Sequence, residues 1–133
     1  MVIDTSALVA ILCDEPDAEW YESAIDADTT RLISVASVLE TAIVVENRFG
    51  ESGGRELDLL ILRLPIQIVP IDGEQLDWAR IAFRRFGKRR HEAELNFGDC
   101  FAYALAKVSG EPLLFKGQDF SRTDVKAVPK YEG

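Results

Sequence analysis

The sequence has few of the residues that build zinc sites, disulfide frameworks and nucleophilic triads. Its 133 residues include only two cysteines, Cys13 and Cys100, and one histidine, His91. The cysteines form no CxxC pair and have no histidine at a zinc-like spacing, so we expect two reduced thiols packed as small apolar groups. A single histidine nearly excludes a histidine-based metal site and a Ser-His-Asp triad. Carboxylates are therefore the expected working groups of any enzyme activity.

Long apolar runs and targeting signals are also missing. No apolar stretch approaches the roughly 20 residues of a membrane-spanning helix. The N-terminus has no basic segment followed by a small-residue cleavage site. These two observations predict a cytoplasmic protein that does not interact with a membrane. The length and the 47% of hydrophobic residues suit one domain, residues 1–133, with a core that needs no disulfides.

Positive charge is scarce and unevenly distributed. The formal net charge is −8, which disfavours a general nucleic-acid coat protein because phosphate binding needs cations. Six of the 15 basic residues nevertheless fall between Arg80 and Arg90, with no acid among them. This stretch is either a solvated helix face or a phosphate-binding rim, and the sequence leaves both interpretations open. The candidates for phosphate contact are Arg85, Lys88, Arg89 and Arg90.

Short strands and helices alternate along the chain. The predicted strands are MVI, RLIS, IQIVPI and PLLFKG, with VKAVP as a candidate last strand. The predicted helices are SALVAILCDE, PDAEWYESAID, VASVLETAIVVENRFG, GRELDLLILRL, DGEQLDWARIAFRRFG and NFGDCFAYALAKVSG. This alternation predicts an α/β domain in which a mainly parallel central sheet lies between two layers of helices.

Four carboxylates stand near the ends of the predicted strands. Asp4 follows MVI, Glu40 lies in the helix after RLIS, Asp99 lies in the first turn of NFGDCF, and Asp119 follows PLLF. Ligands of open parallel sheets bind beyond the carboxyl ends of the strands, so these acids are candidates for one site. Converging carboxylates repel one another unless a cation joins them or one takes a proton. Mg²⁺ or Mn²⁺ suits such oxygen ligands and supports phosphodiester hydrolysis.

Each acid taken alone is better explained as structural. Asp4 can cap the first helix, and Asn96 can cap a later one with Asp99 favourably placed against its dipole. Ser37 and Glu40 have the Ser-x-x-Glu spacing of a capping box. Only the joint occurrence of these acids at the positions where this architecture builds its sites favours a functional interpretation.

Four segments resemble the landmark segments of the PIN-domain ribonucleases, and more closely those of the VapC-type toxins of bacterial toxin–antitoxin pairs. These segments are MVIDTSALVAIL, ISVASVLETAIVV, LNFGDCFAYALAK and LLFKGQDF. The resemblance extends from Val2 to about Phe120. It implies a PIN fold and an endoribonuclease that uses Mg²⁺ or Mn²⁺ and leaves 5′-phosphate and 3′-hydroxyl ends. It also implies that Asp4, Glu40 and Asp99 are the metal-binding acids.

The sequence departs from the family at the fourth acid. Members commonly carry a Thr-x-Asp-x-Asp-Phe pattern, whereas here Phe115 and Gly117 stand in place of the Thr and the first Asp. Asp119 is the remaining acid of the pattern, and it either replaces the lost ligand, binds through water or orders the loop. Lys116 is a further candidate for phosphate contact. Supporting roles beside the acids are predicted for Thr5, Ser6, Ser37, Asn96 and Lys116.

The resemblance also implies partners. It predicts an RNA substrate, a homodimer, and a VapB-type antitoxin that forms a higher-order complex and alone contacts DNA. The antitoxin tail is expected on the segment LVAILCDEPDAEWYESAI. Candidate anchors there are Leu8, Ile11, Leu12, Trp20 and Tyr21. For each of them except Trp20, a core position is the preferred interpretation.

Three other interpretations fit part of the pattern. A phosphoacceptor receiver domain also has acids at strand ends and a lysine after a late strand, as Lys116 is, but usually has paired acids after its first strand. A phosphatase with an aspartyl nucleophile would begin with Asp-x-Asp, and Ser6 occupies the second position. A PIN domain that only binds, without catalysis, is disfavoured because all three main acids are retained.

Overall fold

Residues 1–130 are described by the computed structural model, and within them four strands alternate with six α-helices. The strands are β1 (Val2–Ile3), β2 (Leu32–Ser34), β3 (Gln67–Val69) and β4 (Leu113–Leu114). The helices are α1 (Thr5–Leu12), α2 (Ala18–Ala27), α3 (Val35–Phe49), α4 (Glu51–Arg63), α5 (Gly73–Phe86) and α6 (Phe97–Ser109). A short 3₁₀ helix follows at Phe120–Arg122.

The strands form one parallel sheet in the order β3-β2-β1-β4. Val2 is paired with Leu32 on one side and with Leu113 on the other. The chain moves outward from β1 to β2 and β3, then returns to the other side of β1 as β4. The carboxyl ends of β1 and β4 therefore flank a topological switch point, where open α/β sheets bind their ligands.

Helices cover both faces of the sheet, which confirms the three-layer α/β/α architecture. Successive residues of a strand point to opposite faces. Ile3 accordingly belongs to a core cluster built mainly with α1, α2 and α4, whereas Val2 belongs to a second cluster built with α5 and α6. Both side chains are fully buried. Within residues 1–130, no helix has the combination of length and apolar character that a membrane span requires.

Several boundaries differ from those predicted. The segment VKAVP forms only an isolated bridge between Ala127 and Leu113, so the sheet does not gain a fifth regular strand among the described residues. The fourth helix begins at Glu51 instead of near Gly54. A side chain at Gly53 would collide with the carbonyl group of Val45. Glycine there lets the start of α4 pack closely on α3.

Candidate active site

Asp4 lies at the carboxyl end of the central strand and caps α1. Its backbone N–H donates to the Leu114 carbonyl at 2.9 Å, which fixes it beside the end of β4. Its Oδ2 accepts hydrogen bonds from the Ser6 backbone N–H at 3.0 Å and from the Ser6 hydroxyl at 2.5 Å. The residue is only 4% exposed. Burial raises the pKa of Asp4, the Ser6 hydrogen bonds oppose this, and the charge of Glu40 raises it further.

Asp99 is held by a capping box at the start of α6. Its backbone N–H donates to Asn96 Oδ1 at 2.9 Å, and its own Oδ2 accepts from the Asn96 backbone N–H at 3.0 Å. Asp99 is 8% exposed, and burial raises its pKa to about 7. The Asn96 hydrogen bond opposes this shift, whereas the negative charges of Asp4, Asp119 and Glu40 add to it. The charges of the three other predicted acids therefore all reach Asp99, and the charge of Glu40 also reaches Asp4.

Glu40 reaches this group from α3. Its carboxylate lies against the first turn of α6, because a methyl group at Gly98 would collide with both carboxylate oxygens. The positive end of the α6 dipole favours an anion at that place. Sequence reasoning missed the role of Gly98. The available signal was a glycine two residues inside a helix, where it lowers helix stability without a local benefit.

The capping box predicted for Ser37 and Glu40 is wrong. α3 begins at Val35, and its cap is Ser34, whose hydroxyl oxygen accepts from the Ala36 backbone N–H at 3.2 Å. Glu40 therefore has no capping role and is free to face α6. Ser37 is buried, and its hydroxyl group has no hydrogen-bond partner among the described residues.

Thr5 contributes to the site by bridging α1 and α3. Its hydroxyl donates to the Ser37 carbonyl at 3.2 Å, and the side chain is buried. The bond joins the start of the helix that Asp4 caps to the helix that carries Glu40. Thr5 therefore supports the acids through the backbone packing of two helices.

The segment after β4 carries the fourth predicted acid, Asp119. Asp119 is exposed and lies just before the short 3₁₀ helix, close enough for its charge to act on Asp99. Gly117 has φ +102°, a conformation that disfavours other residues. Asp119 thus stands at the rim of the acids rather than beside the buried pair.

Lys116 is not placed for the predicted phosphate contact. Its Nζ donates to Glu15 at 3.1 Å and to Asp17 at 2.9 Å, both between α1 and α2. Its backbone N–H donates to the Ser6 hydroxyl oxygen at 2.9 Å, and that hydroxyl in turn donates to Asp4. Lys116 therefore supports Asp4 through the main chain and ties the loop after β4 to the loop after α1.

Comparison with known proteins places this geometry in a family. A sequence model of the PIN domain matches residues 1–126. The chain belongs to the PIN-domain family. Its curated relatives include a Ribonuclease VapC of Mycolicibacterium smegmatis, 66% identical over 96% of this chain and 99% of the relative. Ribonuclease VapC30 of Mycobacterium tuberculosis is 62% identical over 96% of this chain and 98% of the relative.

A solved structure shares the fold of this PIN domain. The crystal structure of Mycobacterium tuberculosis VapC20, a sarcin-ricin loop cleaving toxin, has a TM-score of 0.78. The comparison covers 97% of this chain and 98% of that one at 17% sequence identity. At this identity, the likeness concerns the fold alone.

The donor atoms of this PIN domain fit a hard divalent cation. The four acids offer only oxygen ligands. Because burial and mutual repulsion raise the pKa values of Asp4 and Asp99, a nearby positive charge is needed for all four acids to be ionised together. Among residues 1–130, no group of three Asp, Glu, His or Cys side chains forms a compact ligand cluster. Mg²⁺ is usually held by one or two carboxylates together with water and phosphate. Asp4 and Asp99 are two buried carboxylates that could provide such a pair.

The close approach of Glu40 to α6 leads to a direct test. We expect Gly98→Ala to fold normally, because the colliding atoms are the end of a flexible side chain, but to displace the Glu40 carboxylate. RNA cleavage should fall about tenfold, since small misplacements at an active site are costly. Steady-state cleavage and thermal melting measure the two effects. Gly73→Ala, where the new methyl group meets no neighbour, is the control; equal activity of both variants would contradict the role assigned to Gly98.

The structure separates the predicted basic residues into different places. Lys88 and Arg90 line a groove between α5 and α6, and so do Arg80 and Arg84, which the sequence prediction omitted. Arg85 does not line this groove, and its charge acts instead on Tyr103. Hydrophobic spacing alone did not show which side of α5 each arginine occupies.

The predicted antitoxin anchors also divide into two groups. Leu8 and Tyr21 are buried in the core and cannot act as surface anchors. Ile11 and Leu12 are partly buried and line a groove of about 440 Å³ between α1, α2 and α4. Trp20 is also partly buried, and the Lys130 ammonium group lies 5.0 Å from the centre of its ring.

Proposed function

We propose that the chain is a metal-dependent endoribonuclease toxin that hydrolyses RNA to 5′-phosphate and 3′-hydroxyl ends. The observation that carries the proposal is the environment of the Asp99 carboxyl group. It is a buried carboxyl with a pKa of about 7, surrounded by the charges of Asp4, Glu40 and Asp119 at the switch point of the sheet. Perturbed acids in such a position are typical of catalytic sites. Relatives at 62–66% identity that are named as VapC ribonucleases support the reaction class.

Each residue has a role in this proposal. Asp4 and Asp99 would hold Mg²⁺ or Mn²⁺, and Glu40 would either bind the ion or orient the attacking water. Such an ion, when bound, lowers the pKa of its water and neutralises phosphoryl oxygens. Ser6 and Asn96 restrict the rotation of the two aspartates through their hydrogen bonds. Asp119 assists from the rim.

Two alternative functions are less well supported. In a receiver-type domain the lysine would point toward the acids of the active site. The Lys116 ammonium group is paired instead with Glu15 and Asp17, which lie outside the candidate site. A catalytically silent PIN binding module would not need a buried pair of aspartates with raised pKa values, because that arrangement costs stability.

We also propose that residues 1–133 form a single PIN domain that works in the cytoplasm as a homodimer and is inhibited by a VapB-type antitoxin. Exposed apolar residues on α3, at Val35, Leu39 and Ile43, recur at helical spacing and offer a surface for a second copy. The groove lined by Ile11 and Leu12 offers a surface for the antitoxin tail. DNA would be contacted only through the antitoxin.

The function is tested by mapping the 5′ ends of cellular RNA after induction of the wild-type protein and of Asp4→Asn. New 5′-phosphate ends are expected with the wild type alone, at a limited set of positions. If both proteins produce the same new ends, the cleavage does not depend on Asp4. If the wild type produces no new ends, the nuclease activity is refuted. Co-expression of a small reading frame directly upstream should suppress the new ends if that frame encodes the antitoxin.

A further inference from the structure

A groove between α5 and α6 lies next to the acids and is not used by the chemistry described so far. Its volume is about 710 Å³. Its apolar lining residues include Leu76, Phe83 and Phe101. Asn96, the residue whose capping box fixes Asp99, also lines the groove. The groove and the acids therefore share the first turn of α6, and a ligand in the groove lies beside the reaction site.

Phe97 is the most unusual residue of this groove. It is the first residue of α6, two positions before Asp99, and it is 82% exposed, more than any other large hydrophobic residue within 1–130. Its ring meets Phe101 edge to face, with 5.0 Å between ring centres and an interplanar angle of 82°. Core packing does not explain so exposed an aromatic ring. Such exposure beside a groove is typical of a binding surface.

Positive charge surrounds the same groove. Four of its lining residues are basic, namely Arg80, Arg84, Lys88 and Arg90. In a chain with a net charge of −8, this is a local reversal of sign. None of the four is paired with a carboxylate among the described residues, and Arg90 lies 4.8 Å above the centre of the Phe83 ring. The charges are thus free to bind an anion.

We propose that this groove binds a single-stranded segment of the RNA substrate, with one unpaired base stacked on Phe97. The phosphates that flank this base are contacted by Arg84, Lys88 and Arg90. A nucleotide has a flat base and a charged phosphate. The apolar ring can stack on the base, and the nearby cations can bind the phosphate. The base must be unpaired, because a base within an RNA duplex is already stacked between its neighbours and cannot stack on a side chain. The inference rests on the proposed ribonuclease function and adds the substrate class to it.

The test measures the binding of a labelled single-stranded RNA to the Asp4→Asn protein, which is expected to bind without cutting. Adding Phe97→Ala should weaken binding about tenfold, the usual effect of losing one stacked base. Phe97→Trp should retain the affinity. The matched control is Leu62→Ala, which removes a 75% exposed apolar side chain from α4 and should change nothing. A duplex of the same sequence should bind equally well with and without the Phe97→Ala substitution.

The cationic part of the proposal is tested by salt dependence. Arg84→Ala and Arg90→Ala should each reduce the slope of log affinity against log salt by about one unit, whereas Arg48→Ala on α3 should leave it unchanged. Equal affinities of the Phe97→Ala and Leu62→Ala proteins would overturn the base-stacking site. A change of oligomeric state in Phe97→Ala without a change in RNA affinity would also overturn it and assign the groove to a protein partner.

These outcomes can be distinguished from a failure of the proposed function. Cleavage of the same RNA is measured with otherwise wild-type protein and with its Phe97→Ala variant. If wild type cleaves and Phe97→Ala cleaves with an unchanged KM, only the groove assignment is refuted. If wild type does not cleave in Mg²⁺ or Mn²⁺, the nuclease function itself fails.

Discussion

Asp99→Asn is expected to lower RNA cleavage by at least about a hundredfold while the protein stays folded. The amide oxygen can still accept the hydrogen bond from the Asn96 backbone N–H, so the capping box that begins α6 is kept. What is lost is the negative charge. Removal of one electrostatic group at a reacting centre typically costs 10²–10³ in rate, on the order of 3–4 kcal/mol.

Asp4→Asn is likewise expected to keep the fold and to lose RNA cleavage. Its side-chain oxygen can still accept from the Ser6 backbone N–H and hydroxyl, so the start of α1 is preserved. Cleavage is measured over a range of Mg²⁺ concentrations, with circular dichroism and thermal melting to check folding. Asp58→Asn, an exposed acid on α4, is the matched control and should retain full activity. Full activity and unchanged metal dependence in either active-site variant would refute the site assignment.

The parts of the site that could be predicted from the sequence depend on local rules. Asp4 was expected at a strand end and as a helix cap, and Asn96 as the cap that precedes Asp99; all these features are present. Each rule involves residues fewer than five positions apart. The alternation of strands and helices predicted the parallel sheet, whereas the strand order that places Asp4 at the switch point comes from the structure.

The parts that could not be predicted depend on contacts between distant segments. The sequence suggested Ser37 as the cap of α3, whereas Ser34 at the end of β2 is the cap. Gly98 matters only because α3 packs against α6 and brings Glu40 to it. The partners of Lys116 lie at the opposite end of the chain. No pattern within one segment contains this information.

When bound metal is removed by a chelator, the free energy of unfolding should decrease as the pH rises. The pKa of Asp99 is about 7 in the folded state, against an ordinary value of 3.8. The folded protein therefore keeps a proton that the unfolded chain has already lost, and folding stability falls as the pH rises from about 4 to about 7. At 1.36 kcal/mol per pKa unit, this shift corresponds to an upper limit of about 4 kcal/mol above pH 7.

Asp99→Asn should remove this penalty, so in EDTA the variant should be more stable than the wild type. The difference in unfolding free energy should widen by up to about 3 kcal/mol between pH 5 and pH 8, because Asp99 loses its proton in that range and asparagine does not titrate. Mg²⁺ at a hundred times its Kd should stabilise the wild type by about 2.7 kcal/mol and the variant much less. Urea unfolding of both proteins at the two pH values, with and without Mg²⁺, measures each quantity. A difference that stays constant with pH would mean that Asp99 is not the buried acid that repels its neighbours, and equal stabilisation of both proteins by Mg²⁺ would place the cation elsewhere.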